Sequence, residues 1–313
     1  VIINHLPGGL GQIFSVAIAD GKLSLSEMTS SGFRSIGWGL SITKKTGTML
    51  FLVGLTSWLT EYSANQNIIQ RYAAAKSTYE ARKAMLVCVL SSIPIWAFYM
   101  FLGTSLYVFF QIFPTIEATE MLDGTRKAEQ IFPYFILNFL PPGLTGLVIA
   151  AALAAAMSSL DSSINAISTV GVVDIYRRHL KKNKKDSHYL QVAWIIAGCA
   201  AIFMVGGALI LNVSETKTLQ DTATILASIT GGGLLGLYLL GFFTKYGNAK
   251  SVWIGLIATS LFTTWTILSS RGWVPDWMHV PFDLYYTGLI GNIIMFTIAI
   301  IVAIILTDKK KLI

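Results

Sequence analysis

Long apolar runs separated by short polar breaks dominate the chain. Seven of them approach the ~20 residues a helix needs to cross a hydrocarbon layer: 47–65, 84–111, 143–172, 190–211, 219–243, 250–268 and 285–307. Residues 1–19 read as the tail of an eighth, although Pro7-Gly8-Gly9 and Gly11 make them a poor helix alone. The predicted fold class is an all-α polytopic membrane protein embedded in a lipid bilayer. The chain opens Val-Ile-Ile-Asn, without a Met or a charged leading region, so an upstream part is expected.

Loop charge orients these spans. If every run crosses, the stretches 66–83, 173–188 and 244–250 and the C-terminus lie on one side, and they hold 15 of the 23 Lys and Arg residues. The excess of basic residues marks the cytoplasmic side, so a cell-membrane location with a cytoplasmic C-terminus is expected. On the other side, 112–141 carries Glu117, Glu120, Asp123 and Glu129 with Pro141-Pro142-Gly143, which predicts short surface helices. Trp273, Trp277, Tyr285 and Tyr286 suit an interfacial aromatic belt there, and Asn212-Val-Ser214 is an outward sequon.

Composition sharpens this picture. The chain is 54% hydrophobic and only 12% charged, against roughly 25% charged in soluble domains. Its net charge of +7 does not indicate a nucleic-acid partner, because the basic residues are dispersed among short loops. Cys88 and Cys199 sit in apolar runs and read as packing residues. The four histidines fall in different loops or near ends, and no HExxH, P-loop, GxSxG or CxxC pattern occurs. The chain is therefore not read as an enzyme.

Three spans carry unusual polarity. In 143–172 small residues dominate, and Ala155, Ser158, Ser159 and Ser162 fall on one helix face. Asp161, Asn165, Ser168 and Thr169 widen that face into a polar stripe. Hydroxyl and carbonyl oxygens are what a hard cation such as Na+ needs in place of its water shell, whereas the same groups can also serve as helix–helix glue. Asp161 is costly at mid-membrane, so it needs a partner or a wet cavity. It reads either as an ion- or proton-coupling group or as a structural acceptor. In 47–65 the apolar character stops at Trp58 and gives way to Thr-Glu61-Tyr-Ser-Ala-Asn65, which predicts either a helix broken near the midplane and lining a cavity or a span that ends early with Glu61 at the cytoplasmic interface. In 219–243, Gly231-Gly232-Gly233 reads as tight packing or as a hinge.

Three stretches resemble the sodium:solute symporters, the family of the sodium/glucose, monocarboxylate and sialic-acid cotransporters. Asn65-Gln-Asn-Ile-Ile-Gln-Arg-Tyr-Ala-Ala-Ala-Lys-Ser77 is similar to the segment ending the family's core helix six. Ala155-Ala-Met-Ser-Ser-Leu-Asp-Ser-Ser-Ile-Asn165 with Asp174-Ile-Tyr-Arg-Arg178 is similar to core helix eight and its exit, and 231–251 to helix ten and the turn after it. The resemblance implies a partial leucine-transporter-type inverted-repeat fold. Residues 1–19 would end core helix five, 47–243 would be the second repeat, helices six to ten, and 250–307 two added helices. It implies a sodium-coupled symporter of a small polar solute working by alternating access, with a proton-coupled carrier and a transporter-like sensor as alternatives. It also implies sodium ligation by the Ala155 carbonyl and the Ser158 and Ser159 hydroxyls. Asp161 and Ser162 match the second ion site of some members, where Asp161 departs from the usual small hydroxyl residue. Trp58, Glu61, Tyr62, Asn65, Ser91 and Ala227 match pocket-lining positions. Ser91 and Ala227 stand where sugar carriers have Lys and Gln, which weakens a glucose reading.

Overall fold

Most of the apolar runs become helices, and their polar flanks supply the caps. A computed structural model describes the chain except residues 25, 30–31, 214–218, 246, 271 and 312–313. In order, the helices are α1 (Ile2–His5), α2 (Gly9–Ala19), α3 (Gly47–Ala64), α4 (Gln66–Ala73), α5 (Thr78–Ile112), α6 (Ile116–Leu122), α7 (Ile131–Phe139), α8 (Pro142–Thr169), α9 (Asp186–Val213), α10 (Leu219–Thr230), α11 (Leu234–Phe243), α12 (Ala249–Ser270) and α13 (Thr287–Lys311). α8 continues in wider π-wound form over Val170–Leu180. Among the described residues, five stretches are long and apolar enough to cross a membrane: Thr78–Ile112, Pro142–Leu180, Asp186–Leu209, Ala249–Ser270 and Leu284–Leu306.

Caps explain the starts. Ser77 accepts a hydrogen bond from Glu80 N at 3.2 Å, and Glu80 places an acid in the first turn of α5. Thr46 accepts from Met49 N at 3.1 Å to open α3. Pro142 occupies the first turn of α8, where its missing N–H costs nothing. The Thr145 hydroxyl lies 3.1–3.2 Å from the carbonyls of Ile136, Leu140 and Pro141, fastening α8 to the end of α7.

Several expectations change. The fold is helical, but the outer segment 20–46 also holds a short antiparallel hairpin, β1 (Ser26–Thr29) with β2 (Gly32–Ser35). α3 is not broken near its middle. It runs unbroken to Ala64, because Thr56 and Thr60 return their hydroxyls to the carbonyls of Leu52 and Thr56 at 2.8 Å and so satisfy their own polarity within the helix. The break falls at Asn65, whose extended backbone ends α3 while its side chain accepts from Asn67 N at 2.9 Å to start α4. Residues 1–19 form two pieces, with Gly9 at φ +54 beside the break at Pro7-Gly8. Short helices do occupy the outer segment, as α6 and α7. Cys88 and Cys199 are free thiols, both exposed, and Cys88 meets Tyr62 of α3 across the helix contact. Trp273 and Trp277 are exposed as a belt requires, but Tyr285 and Tyr286 are buried with Met49 and Val53 in a core cluster. The sequon's Ser214 lies outside the described residues.

The chain divides into two compact units. One comprises residues 130–216 with Val1; the other comprises 2–129 and 217–313. In the first, Ser168 on α8 donates to the Ala193 carbonyl of α9 at 2.9 Å, so this hydroxyl is a tether rather than part of the open stripe. In the second, the predicted span 219–243 is two helices broken at Gly231–Gly233. Gly233 has φ +98, a conformation that glycine adopts without strain. The same glycines also meet neighbours closely: a Cβ at Gly233 would lie 2.9 Å from Thr259 Cγ2, and one on Gly291 of α13 would lie 3.3 Å from the Gly232 Cα.

Breaking the helix leaves the first N–H groups of α11 without carbonyls of their own helix. Gly236 N finds Asn292 Oδ1 of α13 at 2.9 Å, and Asn292 Nδ2 donates to the Gly288 carbonyl at 2.8 Å. Asn292 is buried. Asn292→Ala leaves the buried Gly236 N–H unsatisfied, while the Gly288 carbonyl keeps its helical N–H. We expect it to cost about 1–2 kcal/mol, read as a lower thermal unfolding midpoint of the detergent-solubilised protein.

Candidate ion and solute sites

The α8 stripe lies in the unit of residues 130–216, and the Trp58–Asn65 cluster in the other. Ala155, Ser158, Ser159 and Asp161 are exposed, and Ser162 is half-buried. Ser159 Oγ donates to the Ala155 carbonyl at 3.2 Å, Ser162 Oγ to the Ser158 carbonyl at 3.0 Å, and Ser163 Oγ to the Ser159 carbonyl at 3.0 Å. These back-bonds orient the oxygens. A hydroxyl that gives its proton to its own helix has only lone pairs left to present outward. The Ala155, Ser158 and Ser159 carbonyls each take a helical N–H and a serine proton, so the acceptors left facing outward are the hydroxyl oxygens. The result is a row of acceptors without full charge, which is the donor set a hard monovalent cation takes. Asp161 adds one carboxylate on an adjacent face. Thr169 donates to the Asn165 carbonyl at 2.8 Å, so the wider part of the stripe closes on itself.

The cluster at the end of α3 is built differently. Trp58 and Tyr62, one turn apart, stack with ring centroids 5.6 Å apart and planes at 18°. Asn65 Nδ2 donates to Glu61 Oε1 at 2.8 Å, which holds the carboxylate beside the helix end. Tyr62 Oη donates to Cys88 Sγ of α5 at 3.7 Å. The structure thus brings four of the six predicted solute positions together. Ser91 is exposed on α5, one turn beyond Cys88, and Ala227 is exposed in the last turn of α10, where its carbonyl accepts from Gly231 N at 2.8 Å. No hydrogen bond, ion pair or ring contact among the described residues joins either side chain to the Trp58–Asn65 group.

Sequence reasoning missed two polar groups. Cys88 is a partner of Tyr62, a contact across 26 positions that no local pattern announces. The Tyr72 hydroxyl on α4 is buried without a hydrogen-bond partner among the described residues, and burial, then the neighbouring Cys88, raises its pKa above the ordinary phenol value. Asn292 had a signal: it is an amide inside the otherwise apolar 285–307 run.

Polytopic helices, an oxygen-lined small-residue helix and a helix broken by glycines define a membrane transporter class. The chain belongs to the sodium:solute symporter family, whose profile matches residues 22–259, and it is a multi-pass membrane protein rather than an enzyme. It is similar to the sodium/sialic acid symporter SiaT of Proteus mirabilis, 28% identical over 100% of this chain and 58% of that protein. It is also similar to human sodium-coupled monocarboxylate transporter 1, 24% identical over 86% of this chain and 42% of that protein. Its fold matches a solved structure of a Na+-coupled sialic acid symporter in a substrate-bound outward-open state. There the TM-score is 0.74 and the identity 27%, over 97% of this chain and 57% of that one. The chain therefore spans rather more than half the length of these sialic acid symporters.

Proposed function

We propose that the chain carries the ion-binding helix and part of the solute site of a sodium-coupled symporter for a small polar organic solute, with sialic acids the first class to test. The observation that carries this reading is the row of back-bonded serines on α8, whose outward lone pairs suit Na+. The Ala155 carbonyl and the Ser158 and Ser159 hydroxyls bind the ion, and Asp161 with Ser162 forms a second ion position. Trp58, Glu61, Tyr62 and Asn65 contact the solute, with Ser91 and Ala227 lining the pocket. The stacked rings offer an apolar face, and the Glu61–Asn65 pair a polar edge. Family membership supports assigning residues 1–19 to the end of core helix five, 47–243 to the second repeat and 250–307 to two added helices. Loop charge supports a cell-membrane location with the C-terminus in the cytoplasm.

Sodium binding selects one of two conformations of the carrier and thereby raises solute affinity, and release on the other side reverses both. The test is uptake of labelled sialic acid by the intact protein in proteoliposomes. We expect uptake to require an inward sodium gradient and to be absent in sodium-free buffer across a range of pH. Uptake driven by a proton gradient without sodium would move the coupling role to Asp161. Sodium-driven uptake of a monocarboxylate in place of sialic acid would retain the ion site and change the solute.

A further inference from the structure

The α8–α9 connection carries six cations within residues 177–185: Arg177, Arg178, Lys181, Lys182, Lys184 and Lys185. All six are exposed. Two acids stand nearby, Asp174 and Asp186, also exposed. None of these eight groups is in an ion pair among the described residues. Six like charges outnumbering two unpaired acids repel one another, and such a segment would ordinarily be loose.

Here the segment is fastened. The buried Tyr189 donates from Oη to the Lys181 carbonyl at 2.9 Å and accepts at the same oxygen from Lys184 N at 3.1 Å. One phenol thus staples both ends of the Lys181–Lys184 turn. Asn183 takes a φ of +58 at the bend, a conformation Asn tolerates. The Lys181 amide closes the helix end on the Tyr176 carbonyl at 2.9 Å, and Tyr176 Oη meets His188 Nε2 at 3.0 Å. Arg177 lies over the Tyr189 ring, 5.3 Å from its centroid. The turn holds its lysines in place instead of letting them disperse.

Depth fixes what they face. Trp194 is exposed on α9, five positions after Tyr189, and Trp is enriched at membrane interfaces. The turn directly joins two stretches long and apolar enough to span, Pro142–Leu180 and Asp186–Leu209, so its lysines stand at the membrane surface within reach of lipid phosphates. We propose that the Arg177–Lys185 turn is a docking surface for the headgroup of an anionic glycerophospholipid. Lysine ammonium groups meet the phosphodiester as point charges, and Tyr189 positions them. This inference rests on the membrane reading alone; it is independent of ion coupling and of the solute.

The test uses the intact protein reconstituted in phosphatidylcholine vesicles, comparing the association of spin-labelled phosphatidylglycerol with that of spin-labelled phosphatidylcholine. The wild type should prefer the anionic lipid. Exchanging Lys181, Lys182, Lys184 and Lys185 for Gln should lower that preference about fivefold or more, whereas the same four changed to Arg should keep it. Tyr189→Phe, which retains the ring and every charge but loses both hydrogen bonds, should lower it partway. Inorganic phosphate, compared with chloride at equal ionic strength, should leave it intact. An unchanged preference in the Gln variant, loss in the Arg variant, full retention in Tyr189→Phe, or displacement by phosphate would each overturn the proposal, the last by showing a free-anion site.

Discussion

Alanine at both Ser158 and Ser159 is expected to raise the sodium concentration for half-maximal uptake by about 30- to 700-fold. Each hydroxyl oxygen lost from a cation's shell removes an interaction of about 1–2 kcal/mol, and 1.4 kcal/mol is a factor of ten. The helix itself should not suffer. Ser159 bonds only its own backbone, to the Ala155 carbonyl, and alanine is the better helix former. Apparent solute affinity at low sodium should fall with it, since coupling between two bound ligands is reciprocal. A control is Ser270→Ala, which removes a hydroxyl bonded back to its own helix, at the Ile267 carbonyl three positions earlier, at 2.8 Å, on α12. It should leave sodium activation unchanged. Measured as uptake against sodium concentration in proteoliposomes, a double variant with wild-type sodium dependence would remove the α8 site.

Adding one methyl group to Gly236 is expected to destabilise the protein by about 2 kcal/mol. A Cβ there would overlap the Asn292 backbone carbonyl and sit 3.1 Å from Met295 Cβ and 3.2 Å from Phe296 N. Backbone atoms cannot rotate aside as a long side chain can. α13 is itself pinned here, for Met295 is fully buried and its sulfur would lie 2.8 Å from a Cβ on Gly255 of α12. Alanine's helix preference, worth up to ~1 kcal/mol over glycine, is outweighed by an overpacking cost of about 1–3 kcal/mol and by the loss of the Asn292 cap. Gly241, on the same helix, has nothing within 4 Å of its would-be Cβ. Gly241→Ala should therefore be neutral or slightly stabilising. Thermal unfolding of the two variants in detergent makes the comparison, and equal midpoints would show that α11 and α13 are not packed as described.

Hydrophobic patterning made most of the helices and the stripe on α8 legible, because both depend on residues close in sequence. The 3.6-residue period alone places Ala155, Ser158, Ser159 and Ser162 on one face. It does not say which hydroxyls remain open, since Ser168, three positions past Asn165, spends its proton on the carbonyl of Ala193 in another helix. The polarity after Trp58 reads correctly as unusual, but its meaning was misjudged. Threonines that bond their own helix mimic a broken span while continuing an unbroken one.

The sequence by itself determined the membrane class, the family, the small-residue helix with its oxygen face, and the presence of three glycines where a helix would otherwise run. Lipid solvation and local backbone geometry impose those, and both act over a few residues. Only the tertiary structure decided that the glycine break is capped by Asn292, that Tyr286 reaches the Ser41 carbonyl at 3.0 Å instead of facing the interface, and that Tyr189 fastens a cationic turn. Each of these joins groups brought together by chain folding. A buried donor is satisfied by whichever acceptor packing delivers to it, and that choice is made in three dimensions.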